Sequence, residues 1–128
     1  MTNFLNRAGV VAGFLAGFAL CSSASAAPRS AMGVWTRANG SSRIEFKHCG
    51  KALCGYVIWL KNPKSKAHVG QKVFFNMVRY DQNTWRGSAF NPENGETYSG
   101  HMILSGRRLK TAGCVFGGLI CKTVLWHR

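Results

Sequence analysis

Acidic residues are scarce in this chain: Glu45, Asp81, Glu93 and Glu96 are the only four carboxylate side chains in 128 residues. A glycosidase needs two such groups across a cleft. Glu93 and Glu96 fall within one turn sequence, Asn91-Pro92-Glu93-Asn94-Gly95-Glu96, where turn formation accounts for them. The single aspartate makes a Ser-His-Asp triad hard to assemble. The short Cys-x-x-Cys knuckle of structural zinc sites does not occur. His48, His68, His101 and His127 are scattered without ligand-like spacing. No Gly-rich phosphate loop opens a helix, and no stretch carries a helical apolar stripe. These absences exclude a recognisable catalytic constellation, metal site or cofactor motif, so a non-enzymatic protein is expected. An enzyme would have to be assembled around His101 with Glu45 or Glu96 in a cleft.

Positive charge is abundant by contrast. Seventeen Lys and Arg against the four acids give a formal net charge of +13. The N-terminal segment contributes almost none of it. Residues 1–26 hold one charged side chain, Arg7, then an apolar run from Ala8 to Leu20 and an Ala24-Ser25-Ala26 sequence. This is the layout of a cleaved signal peptide. The run is shorter than the about 20 residues that a membrane span requires. Cys21 follows Leu20 rather than a small residue, which argues against lipidation. A signal peptide over 1–26, one domain over 27–128 and a periplasmic or secreted location are therefore expected. Without residues 1–26 the net charge is +12. That balance favours anionic envelope components as partners over any specific nucleic acid, since an exported chain meets envelope phosphates first.

Short β-prone runs separated by turn residues fill the rest. Candidate strands are Gly33–Arg37, Ser42–His48, Cys54–Leu60, Lys72–Tyr80, Thr84–Phe90, Glu96–Leu104, Arg107–Phe116 and Leu119–Trp126. Asn39-Gly40 and Asn94-Gly95 are strong turn signals. Residues 61–71, with three lysines, His68 and Pro63, read as a basic loop. Eight short strands in succession leave two vulnerable sheet edges unless the sheet closes. The expected fold is all-β: a small antiparallel up-and-down barrel, with an interior wide enough for packed side chains or one small ligand.

The segment Cys49-Gly50-Lys51-Ala52-Leu53-Cys54-Gly55-Tyr56-Val57-Ile58-Trp59-Leu60-Lys61 resembles the signature of domain-of-unknown-function family 2147, small exported bacterial proteins. The likeness continues through Trp85-Arg86-Gly87, Asn91 to Tyr98, Gly113-Cys114 and Cys121 to Arg128. It implies a compact lipocalin-like barrel. It also gives meaning to Gly33-Val34-Trp35 and to Arg128. In lipocalin-like barrels a Gly-x-Trp on the first strand packs beneath a basic residue from the last. Gly33, Trp35 and Arg128 are accordingly expected to close one barrel end.

Cys49, Cys54, Cys114 and Cys121 are expected as disulfides in an exported protein. Three connectivities are open. Loop entropy favours long bridges, at about 4 kcal/mol against about 2 to 2.5 for each local one. Each close pair, however, flanks a Gly-containing turn where neighbouring strands approach. Cys49–Cys54 and Cys114–Cys121 are therefore expected. Strand alternation assigns Phe46, Tyr56, Ile58, Phe75, Tyr98 and Met102 to the barrel interior, as a pocket for a small apolar or amphipathic ligand with an anionic head. The alternative is a filled barrel acting as a structural or interaction module. It would homodimerise through an apolar patch around Val73–Val78, or bind anionic envelope polymers through its surface.

Overall fold

The structure, a computed structural model, describes residues 30–128 and, ahead of them, only Gly13 and Gly17. The expected signal peptide and its cleavage site lie outside the described residues. Within them, eight strands run in sequence: β1 (Gly33–Arg37), β2 (Ser42–Cys49), β3 (Ala52–Leu60), β4 (Lys72–Asp81), β5 (Thr84–Asn91), β6 (Glu96–Ser105), β7 (Arg108–Val115) and β8 (Ile120–His127). Each pairs antiparallel with the next, and β1 pairs with β8 to close the barrel. Closure satisfies the edge groups that an open sheet would leave exposed.

The turns form where the sequence supplies their chemistry. Gly40 and Gly95 take φ of 74° and 72°, so the Asn-Gly pairs work as turn corners. The preceding asparagines add side-chain hydrogen bonds: Asn39 Oδ1 accepts from Ser41 N at 3.0 Å, and Asn94 Oδ1 accepts from Glu96 N at 3.0 Å. Asn62 and Asn91 brace their loops in the same way.

Up-and-down order sends the β1–β2, β3–β4, β5–β6 and β7–β8 connections to one end and the others to the opposite end. The opposite end is packed solid. Trp35 is wholly buried, and its Nε1 donates to Ala31 O at 2.9 Å. The Arg128 guanidinium lies 4.2 Å from the Trp35 ring and donates to Ser30 O and Met32 O. A cation stacked on an indole covers the apolar face while its charge reaches water. Leu53, Met77, Trp85, Met102, Leu104 and Leu109 fill the barrel beside this plug.

Alternation fails at four points, each an extra residue in a strand; one of them, Tyr80, lies at the far end of β4, where Arg79 pairs with Trp85 and Asp81 with Thr84. On β3, Arg43 pairs with Trp59 and Ile44 with Val57, leaving Ile58 as a bulge. On β4, Gly55 pairs with Phe74 and Tyr56 with Lys72, so Val73 is extra. Further along, Phe75 pairs with Ser88 and Val78 with Arg86, and Asn76 bulges with φ of 49°. A bulge reverses which face the following residues occupy. Val73, Phe74 and Met77 are therefore all buried, while Val78 is exposed. The segment 73–78 is split between the two faces and does not form the continuous outer apolar patch expected from its composition.

Candidate functional site

The end bearing the four loops is hollow. A cavity of about 1060 Å³ occupies that half of the barrel, just above the about 300–1,000 Å³ usual for ligand pockets. Its floor is built from Ile44 on β2, Val57 on β3, Phe74 on β4 and Trp126 on β8. Leu60, Val73, Ala89 and Val124 add apolar wall. Phe46 and Phe74 meet beneath it with ring centroids 5.2 Å apart. Gly55 makes room for that pair, because a Cβ there would lie 2.8 Å from Phe46 Cε1 and 2.9 Å from Phe74 Cδ2.

The deep polar group is Thr111 on β7, 2% exposed. Its hydroxyl accepts from Trp126 Nε1 at 2.9 Å and donates to Val124 O at 3.4 Å. With its hydrogen bonds made internally, the floor asks for apolar contact rather than for a polar head.

Charge gathers at the rim. Arg37, Lys61 and Lys122 line it, together with Glu93 and Glu96. Glu96 Oε2 accepts from the Tyr98 hydroxyl at 3.0 Å, and Asn94 Nδ2 donates to the same hydroxyl at 2.6 Å. Tyr98 thus stands on the wall with its phenol fixed. Lys122 lies two residues from Val124 and four from Trp126 on β8, which puts it on the inner face. A molecule seated on the apolar floor would meet these cations as it reaches the mouth.

Of the six pocket residues expected from alternation, Tyr98 lines the cavity. Phe46 and Met102 point inward but belong to the packed core, at 1% and 0% exposure. Tyr56, Ile58 and Phe75 are not part of the wall. Tyr56 follows Gly55 and precedes the inward Val57, so it faces out, with the ammonium groups of Lys47 and Lys72 at 5.7 and 5.8 Å from its ring. Phase on β3 is set by Val57, and the Ile58 bulge then restores Leu60 to the inside. On β4 the Val73 bulge turns Phe74 inward and Phe75 outward, the latter beside Lys72 at 5.3 Å. Ile44, Val57, Phe74, Thr111 and Trp126 were not singled out by sequence reasoning. The inner set of β8, Lys122, Val124 and Trp126, alternates with Cys121, Thr123 and Leu125, a signal that would have exposed that wall.

The disulfides join Cys49 to Cys54 and Cys114 to Cys121. The first braces the β2–β3 turn at the packed end. The second ties β7 to β8 at the hollow end, where Cys114 and Cys121 are direct cross-strand partners.

The trio that an enzyme would need is not brought together. His101 sits between the inward Gly100 and Met102, so it faces out, whereas Glu96 lines the cavity. Glu45 lies on β2, four strands around the barrel from β6. Among the described residues no group of three or more His, Cys, Asp or Glu could hold a metal ion.

The barrel fold has a counterpart among solved structures. Protein HP1028 from the human pathogen Helicobacter pylori, described as belonging to the lipocalin family, superposes with a TM-score of 0.63 at 18% identity, over 77% of this chain and 82% of that one. At that identity the likeness bears on the fold. No curated protein matches the sequence. The family model described as an uncharacterized protein conserved in bacteria, DUF2147, matches residues 33–128, spanning all eight strands, and the chain belongs to that family.

Proposed function

We propose that the protein is an exported, non-enzymatic binding protein that holds one small apolar or amphipathic molecule with an anionic head in the hollow half of its barrel. The observation that carries this reading is the cavity itself, with apolar side chains below and Arg37, Lys61 and Lys122 at the rim. A filled barrel working only through its surface would have no use for an unfilled space of this size, because a cavity forfeits packing energy. Export is supported by the apolar run Ala8–Leu20 with Ala24-Ser25-Ala26 after it, and by two disulfides, which persist outside the reducing cytosol.

Comparing a long-chain fatty acid with the alcohol of equal length tests the assignment of tail and head. Native mass spectrometry should show one fatty acid per chain, with a thermal shift larger than the alcohol gives. Replacing Arg37 and Lys122 by Gln should erase the difference between the two while leaving alcohol binding in place. Equal binding of both by the unaltered protein would remove the anionic head from the proposal. Binding of neither, across fatty acids and envelope lipids, would remove the ligand.

A further inference from the structure

The β7–β8 connection holds large apolar side chains out at the cavity mouth. Phe116 is 75% exposed, Leu119 86% and Ile120 60%. Single apolar residues on a surface need no explanation. Three within five consecutive positions, across a loop tip and the first residue of β8, do, because loops are ordinarily polar. This tip is also braced in place. Phe116 takes φ of 54°, a region that non-glycine residues rarely adopt. Leu119 N donates to Phe116 O at 3.3 Å, and the Cys114–Cys121 disulfide ties the base of the loop. The apolar side chains are thereby presented to solvent beside the cavity, which Phe116 and Ile120 border.

Cations accompany the tip at the same end of the barrel. Lys122 follows it on β8, and the 61–71 loop, which belongs to the same barrel end, exposes Lys61, Lys64 and Lys66. Val69, 64% exposed, stands in that basic loop as well. Of the two acids at this end, Glu96 already accepts the Tyr98 hydroxyl. An apolar tip with basic residues beside it is the composition of a surface that enters the headgroup region of an anionic bilayer. A soluble polyanion would engage the lysines and leave Phe116, Leu119 and Ile120 uncovered. A second copy of this chain would bring a matching excess of positive charge to the contact.

We propose that the hollow end of the barrel docks on an anionic membrane surface, with Phe116, Leu119 and Ile120 entering the headgroup layer and the lysines of the 61–71 loop contacting lipid phosphates. Docking of this kind does not depend on which molecule, if any, the cavity holds, though it would turn the mouth toward the bilayer.

The chain without its expected signal peptide, residues 27–128, keeps every described strand and core residue and serves for the test. The disulfide-bonded protein is mixed with phosphatidylcholine vesicles, with and without about one third phosphatidylglycerol, and floated on a density gradient. It should float with the anionic vesicles. F116S/L119S/I120S should weaken that association at least about tenfold, and K64Q/K66Q should weaken it about fivefold per lysine. Hydrogen exchange on the unaltered protein provides the second readout, with slowing expected in 115–122 and 61–71 when vesicles are added. Absence of flotation would overturn the proposal, as would undiminished flotation of the triple serine variant or unchanged exchange in both loops. A dimer that the serine changes abolish, with no vesicle binding, would assign the tip to a second copy. Fatty-acid binding measured without vesicles reports on the cavity alone, so the two readings fail separately.

Discussion

Thr111 is the one fully buried polar residue among those described, and it sits on the cavity floor because Trp126 needs it. An indole N–H facing an apolar space without an acceptor costs about 1–3 kcal/mol. The Thr111 hydroxyl, 2.9 Å from Trp126 Nε1, meets that requirement. Thr111→Val preserves volume and removes the acceptor. Urea unfolding should show a loss of about 1–3 kcal/mol, with Thr111→Ser losing appreciably less. Loss of stability in Thr111→Ser with none in Thr111→Val would instead assign the stabilisation to the methyl group. Trp35 solves the same problem at the other end with a backbone carbonyl, Ala31 O, which leaves its indole faces free for packing and for Arg128.

At the scale of strands and turns, the two disulfides divide the work between the barrel ends. Sequence separations of 5 and 7 residues make both loops short, and each bridge is worth about 2 kcal/mol by loop entropy. Replacing Cys114 and Cys121 together by Ser should lower stability by about that amount and speed hydrogen exchange in 115–122, while β2 and β3 keep their protection. Accelerated exchange throughout the barrel would instead give this bridge a global role. The positions of these bridges were legible in the sequence because each cysteine pair flanks a turn that brings antiparallel neighbours together. Strand order and turn placement were legible for the same reason: Asn-Gly corners and alternating runs are local chemistry. The phase of β3 and β4 was not. Ile58, Val73 and Asn76 are ordinary residues for a strand, and nothing in Val73-Phe74-Phe75 says which phenylalanine turns inward. Only pairing with β3 and β5 decides it, at the bulges. Tyr56, Ile58 and Phe75 accordingly lie off the cavity wall, while Tyr98, on the unbroken pairing of β6 with β5, lines it.

The whole molecule divides along its axis. Trp35, Met77, Trp85, Met102, Leu104 and Leu109 make one half a packed core, and Arg128 covers its end. The other half spends no side chains on filling its interior. Its loops instead carry asparagine braces, basic residues and the exposed tip at Phe116 to Ile120. This division lets one small barrel be stable without being full, since the packed half and the disulfides support the hollow half. It also separates stability from the proposed binding, which makes the central claim open to a direct measurement. Ala89 lies on the cavity wall opposite Phe74 and Tyr98 in the strand pairing. Ala89→Trp would fill space that is otherwise empty. Titration of a fluorescent fatty acid against the unaltered protein and this variant, with melting temperature followed in parallel, tests whether the hollow half is a binding site. Saturable binding of one probe per chain, abolished by Ala89→Trp while the variant stays folded, is the predicted result. Probe binding that persists unchanged in the folded variant would contradict it.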